Sequence, residues 1–347
     1  MQVGLAITVC IAAQAAPKIT QSRASDGVYD DIVGAVAISN TYAYVGVGSR
    51  LHIVDISNPS NPINIGQTAS SVETVSDVVI QGNYAYVGHM ALQVPPVAKE
   101  GLSIIDVTQP TTPTNVGFYD APGVTSVAIR GVYAYLGIRD QGLRIVDLTN
   151  PMTPTAIGFF SISNYNISEI AVAGNYAYVI AGDLLVIDIS DPTKPTEVGR
   201  LDLGLYSDIV IRDHYAYVAF ADVDLSAVGG LHIIDIADPA HPTRVGQYVV
   251  DQFTSRLDVT DHYAYLGNAL YGGLLIVDIS VPTAPKQAAD FVLPHPSSAI
   301  AARPGYAYVA GEPGFYVINV SNPSAPTLAG VWYSTLRSRI FFPSMLR

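Results

Sequence analysis

Two short words alternate seven times along this chain, and their spacing constrains the fold more than any other feature of the sequence. The first, Tyr-Ala-Tyr, begins at Tyr42, Tyr84, Tyr133, Tyr176, Tyr215, Tyr263 and Tyr306, each time followed by Val or Leu. The second reads LHIVDI from Leu51, then LSIIDV, LRIVDL, LLVIDI, LHIIDI, LLIVDI and finally FYVINV from Phe315. Every copy of the second word is followed by two prolines three residues apart. Successive Tyr-Ala-Tyr starts lie 39 to 49 residues apart, the period of a four-stranded propeller blade rather than of a helical repeat.

Within each unit, strand A reads VAIS or VVIQ, strand B is the tyrosine word, strand C is the aspartate word, and strand D follows the second proline, as in TNVGFY. Polar or glycine pairs such as GN, DH and NT turn A into B, and the Pro-x-x-Pro stretch turns C into D. Strand C is apolar on both faces: Leu51 and Ile53 point one way, Val54 and Ile56 the other. One sheet of this kind cannot bury both faces, whereas seven arranged radially bury each face against a neighbour. The expected fold is all-β, a seven-bladed β-propeller of four-stranded antiparallel blades.

The words LHIVD, LLVID and LLIVD make the chain resemble the LVIVD-repeat family over residues 33 to about 333. The resemblance implies a seven-bladed propeller outside the cytoplasm, since members are mostly surface or secreted proteins of bacteria and archaea. It implies no shared activity and no catalytic residues. Adhesion or partner binding is the function it suggests.

Compartment and partners follow from the ends and the charge. The stretch VGLAITVCIAAQAA, residues 3–16, is apolar, too short to span a bilayer, and ends in the small-x-small pattern accepted by signal peptidase, although no basic residue precedes it. Residues 1–16 are expected to be a signal peptide, 17–32 a lead-in, 33–334 the propeller and 335–347 a short tail. The expected location is secreted or cell-surface. Cys10, the single cysteine, falls in the leader, so the mature chain is expected to lack thiol chemistry, disulfides and thiolate metal sites. Seventeen basic against twenty-nine acidic residues, a net charge of -12, is the wrong sign for nucleic acid or an anionic membrane. A protein or glycan at the cell surface is the expected partner, and no membrane span is expected in the mature chain.

Repetition also sorts the candidate residues. Asp55, Asp106, Asp147, Asp188, Asp235 and Asp278 share one repeat position, with Asn319 in the seventh copy. A catalytic group is needed once, so these read as acceptors for backbone N–H groups in the following turn. The fourteen tyrosines read as packing between blades. Most histidines coincide in pairs of non-adjacent units, His52 with His232 and His214 with His262, and so do not converge on a metal. His89 and His295 are left as isolated loop residues, expected to be exposed. Standard catalytic motifs are absent.

The informative position lies seven residues before each tyrosine word, where the copies differ: Ala35, Asp77, Ser126, Glu169, Asp208, Arg256 and Ala299. Strand A is innermost in a propeller, so these side chains should ring the channel mouth formed by the D–A and B–C loops. Units two and five carry longer B–C loops, residues 89–100 and 221–230, on the same face. Asp77, Glu169, Asp208, Arg256, His89, Lys99 and Glu100 are therefore the candidate ligand-binding residues of a binding or adhesion module. The alternative is a propeller hydrolase or lyase with a carboxylate-lined channel mouth. No cofactor is expected, except that Asp208 with Asp222 and Asp224 could hold calcium, a cation that prefers hard oxygen ligands.

Overall fold

The computed structural model describes residues 33–334, apart from 70–72, 92–98, 163–165, 204–205, 223–227, 269, 271 and 312–313. Regular structure among the described residues is entirely strand, arranged as seven four-stranded antiparallel sheets. Each sheet takes its strands in sequence order; blade 1 consists of Val33–Ser39, Tyr42–Val47, Arg50–Asp55 and Ile63–Gln67. The first strands of the blades are Val33–Ser39, Thr74–Gln81, Val124–Arg130, Glu169–Ala173, Tyr206–Arg212, Thr254–Val259 and Ala299–Arg303. Each touches the first strand of the next blade, and the seventh touches the first, which closes a ring with strand A innermost. The expected seven-bladed propeller is the observed fold.

The core is divided among the seams between blades, one apolar cluster to each. Leu51 and Ile53 pack toward blade 2, while Val54 and Ile56 pack toward blade 7. The second tyrosine of every tyrosine word is buried in these clusters, and the first is half-buried at the edge. Full burial of one such large side chain contributes roughly 1.5–3 kcal/mol, so the seams supply most of the drive to fold.

Two repeated devices set the geometry of the outer strands. The strand C aspartates accept the backbone N–H two residues on, Asp55 from Ser57 at 2.8 Å and Asp147 from Thr149 at 2.7 Å, and Asn319 does the same with Ser321 at 2.9 Å. They are turn residues, as their repetition implied. Strand D carries a bulge in every blade, followed in six of the seven by glycine: Gly66, Gly117, Gly158, Gly199, Gly246 and Gly330. A Cβ on any of these six would lie well under 3 Å from the carbonyl oxygen of the first turn proline in the next blade. The glycine lets strand D of one blade seat against the C–D turn of its neighbour.

Gly330 seats against Pro59 and so belongs to the closing seam. The outer strand of the last blade is Thr327–Tyr333, from the C-terminal side of the chain, so among the described residues blades 1 and 7 share no strand. Arg303 Nη1 donates to the Asn40 carbonyl at 2.6 Å and the Ser298 hydroxyl donates to the Val33 carbonyl, both across that seam.

Candidate functional site

Strand A has a hydrogen-bonded neighbour on one side only, which leaves its other edge of N–H and C=O groups facing the axis. Several side chains at the candidate position satisfy that edge. Asp77 Oδ2 accepts the Val127 N–H at 2.7 Å, Ser126 Oγ accepts the Ile170 N–H at 3.0 Å, and Asp208 Oδ2 accepts the Leu257 N–H at 2.7 Å. In each case the donor is the next residue along in the following blade. Asp258, two residues beyond Arg256, repeats the contact one step deeper, accepting the Ala302 N–H at 2.6 Å.

These groups surround an axial cavity of about 490 Å³, lined along the seven innermost strands by Asp77, Glu169, Asp208, Arg256 and Asp258 among apolar neighbours. Four carboxyl groups and one guanidinium thus line the cavity, and the positive charge acting on Asp258 is that of Arg212 rather than Arg256. Arg256 Nε donates to the Ser298 carbonyl at 2.7 Å, and its charge stabilises the ionised forms of Asp77, Glu169 and Asp208. Burial works the other way and dominates. It pushes Asp208 and Asp258 up to about 6 and raises Asp77.

Glu169 stands apart within this ring. Its Oε1 takes the Ser126 hydroxyl proton and the Ile170 N–H at 3.1 Å, whereas Oε2 makes no hydrogen bond among the described residues. Burial, then the nearby charges of Asp77 and Asp208, raise it well above the usual carboxylate range. The cavity therefore offers a carboxyl that burial biases toward its protonated form, with one oxygen unengaged, beside the Arg256 guanidinium.

The other described candidates, His89, Lys99 and Glu100, do not join this cavity. His89 is not an exposed loop residue: it lies in the strand Tyr84–Met90, 2% exposed, in the seam between blades 1 and 2. It is buried there because it takes a repeat position whose side chain faces blade 1 along with Val87. Glu100 Oε1 accepts the Ala91 N–H at 2.7 Å and lies 3.7 Å from Arg139, so it ties the base of its own loop. Lys99 is exposed, 4.0 Å from Asp120 and over the Phe118 ring. Residues 92–98, Asp224 and the side chain of Asp222 lie outside the described residues, as do residues 1–32 and 335–347. Among the described residues no three His, Cys, Asp or Glu side chains are grouped to hold a metal ion, and no helix is long and apolar enough to cross a membrane.

Asp258 is the member of the ring not singled out above. The same position in the other copies is Ala37, Val79, Ala128, Ala171, Val210 and Ala301, so a single carboxylate among alanines and valines was the available signal.

The LVIVD repeat pattern matches residues 32–69, 74–121, 123–161, 166–202, 204–250, 253–290 and 297–334, one match to each blade. The chain belongs to the LVIVD repeat family. No curated protein matches this LVIVD-repeat chain. Among solved structures it is similar to a protein from Lactobacillus plantarum, at 13% identity over 86% of this chain and 93% of that one, with a TM-score of 0.67. It is also similar to the Myceliophteria thermophila Cps50 (Swd1) β-propeller domain, at 11% identity over 81% and 93%, with a TM-score of 0.63. Saccharomyces cerevisiae Sqt1 is similar at 10% identity over 86% and 85%, with a TM-score of 0.62. At these identities the likeness is one of fold.

Proposed function

We propose that this LVIVD-repeat propeller is an extracytoplasmic binding module whose axial cavity receives a cationic group of its ligand, an amine or guanidinium presented from the D–A/B–C loop face. The observation that carries this reading is the 490 Å³ cavity lined by four carboxyl groups and one arginine. Its partner is a protein or glycan at the cell surface, consistent with a fold often used for surface interactions and with the apolar leader at residues 3–16. Asp77 and Asp208 hold the blades as well as the charge, so Glu169, with an oxygen unengaged, is the group that meets the ligand. A cation arriving there displaces the proton of Glu169.

Calorimetry with agmatine tests the reading. Binding should weaken at least tenfold in Glu169→Gln, about 1.4 kcal/mol, and the heat should change with the ionisation enthalpy of the buffer because a proton is released. Absence of heat, or equal affinity in Glu169→Gln, would overturn it. Titration with calcium, with and without Asp222→Asn and Asp224→Asn, separates a metal bound at the loop of unit five from an organic cation at the axis. The raised Glu169 also supports a second reading, in which it serves as the general acid of a hydrolase or lyase. Turnover of a glycan, lactone or phosphoester that vanishes in Glu169→Gln would replace binding with catalysis.

A further inference from the structure

A second cavity, of about 130 Å³, lies in the seam between blades 1 and 2, away from the axis. It exists because unit two departs from the repeat at two positions. The second residue of the aspartate word is His52, Arg144, Leu185, His232, Leu275 or Tyr316 in the other copies, and Ser103 here. The sixth residue of the tyrosine strand is Val47, Ile138, Ala181, Phe220, Asn268 or Gly311 elsewhere, and His89 here. The first change removes a large side chain from the seam; the second places an imidazole beside the space it leaves. Ser103 and His89 are 1% and 2% exposed, and both line the cavity.

Their hydrogen bonds fix what the cavity can recognise. His89 Nδ1 is 3.0 Å from the Glu73 carbonyl oxygen, which can only accept, so Nδ1 carries the proton and Nε2 the lone pair. Burial keeps the ring neutral by lowering its pKa to about 4. Nε2 is 3.0 Å from Ser103 Oγ and therefore accepts the serine proton. Asn115 Nδ2 donates to the same oxygen at 3.4 Å, which leaves Ser103 Oγ one acceptor site. Leu51, Val87 and Ile105 form one apolar wall, Ser49, Thr68, Ala69 and Pro113 complete the lining, and the exposed Asn115 marks the side open to solvent.

We propose that this seam cavity is a ligand site for a small aromatic ring bearing one hydrogen-bond donor, with the ring against Leu51, Val87 and Ile105 and the donor on Ser103 Oγ. The size suits such a ring, since an apolar protein cavity of ~150 Å³ admits benzene. The polar floor selects a phenol over a hydrocarbon because a donor to Ser103 completes its hydrogen bonding.

Phenol and toluene, nearly equal in shape, are the probes. Thermal shift and calorimetry on the wild type should show phenol binding at least tenfold more tightly than toluene. Ser103→Leu restores the residue that units four and six carry and should abolish binding of both probes. Ser103→Ala, which preserves the space, should retain toluene and lose the preference for phenol, and it reads out the site even if the leucine variant fails to fold. No phenol binding to the wild type, equal affinity for the two probes, or unchanged phenol binding in both variants would overturn the proposal.

Discussion

Asp147 and its counterparts are half-buried at the rim, where water still reaches them, and each accepts one backbone N–H in a tight turn. Water can replace that bond, so the net contribution of one such residue is at the low end of the usual range, about 0.5–1 kcal/mol. Asp147→Ala is expected to lower stability by that amount in urea titration, and Asp147→Asn by less, because Asn319 makes the same contact. The identity of residues at one repeat position made this role legible in the sequence. The axial ring was legible for the opposite reason, since Ala35, Asp77, Ser126, Glu169, Asp208, Arg256 and Ala299 differ while everything around them repeats. What the pattern did not carry was that Asp77 and Asp208 bond to the neighbouring blade. A hydrogen bond to a backbone N–H leaves no mark on the identity of its donor. His89 is a strand residue because the loop begins two residues later, after a strand longer than every counterpart except that of blade 5.

At the scale of the strand, the glycine after each strand D bulge links sequence to assembly. Gly158 faces the Pro192 carbonyl of the next blade, and a methyl there would have to push two blades apart. Gly158→Ala is expected to destabilise by about 1–3 kcal/mol, the usual penalty for overfilling a packed contact, measured as a lowered urea midpoint with unchanged slope. Blade 6 is the exception, with Ala289 opposite Ile276 where the others place glycine. Its seam with blade 7 already accommodates a methyl, so Ala289→Gly should change stability by less than ~1 kcal/mol, through backbone entropy alone. The turns, the strand order and the number of blades could all be read from the repeats, because each is set within one unit. The seam cavity could not, because its existence depends on what two different units leave unfilled.

Across the whole molecule the carboxylates fall into two populations with opposite pH behaviour. The turn residues Asp55, Asp106, Asp147 and Asp278 are held below their ordinary pKa by hydrogen bonds from the residue two places on. Their contribution is present above about pH 4 and is lost as the pH falls further. In the axial ring, burial raises Asp208 and Asp258 to about 6, so the folded state binds protons more tightly than the unfolded chain. That stabilisation is complete below about pH 4 and is lost as the pH rises through 6. Melting temperature should therefore peak in mildly acidic buffer and decline between pH 5 and 7, and the decline should be shallower in Asp208→Asn and Asp258→Asn. A melting temperature that rises steadily to pH 7 would contradict this account.

Among the described residues the ring closes without a shared strand, and this bears on how the protein is made. Blade 1 is complete once residue 67 is available, but the face it turns toward blade 7 waits for Phe315, Val317 and Trp332. At a synthesis rate of about 5–20 residues per second that wait lasts on the order of tens of seconds. Throughout it, Val45, Val54 and Ile56 have no partner from the last blade. A ribosome-associated holdase, or an export machinery that keeps the chain unfolded until its last repeat has emerged, would shield that face from premature association with a second nascent chain.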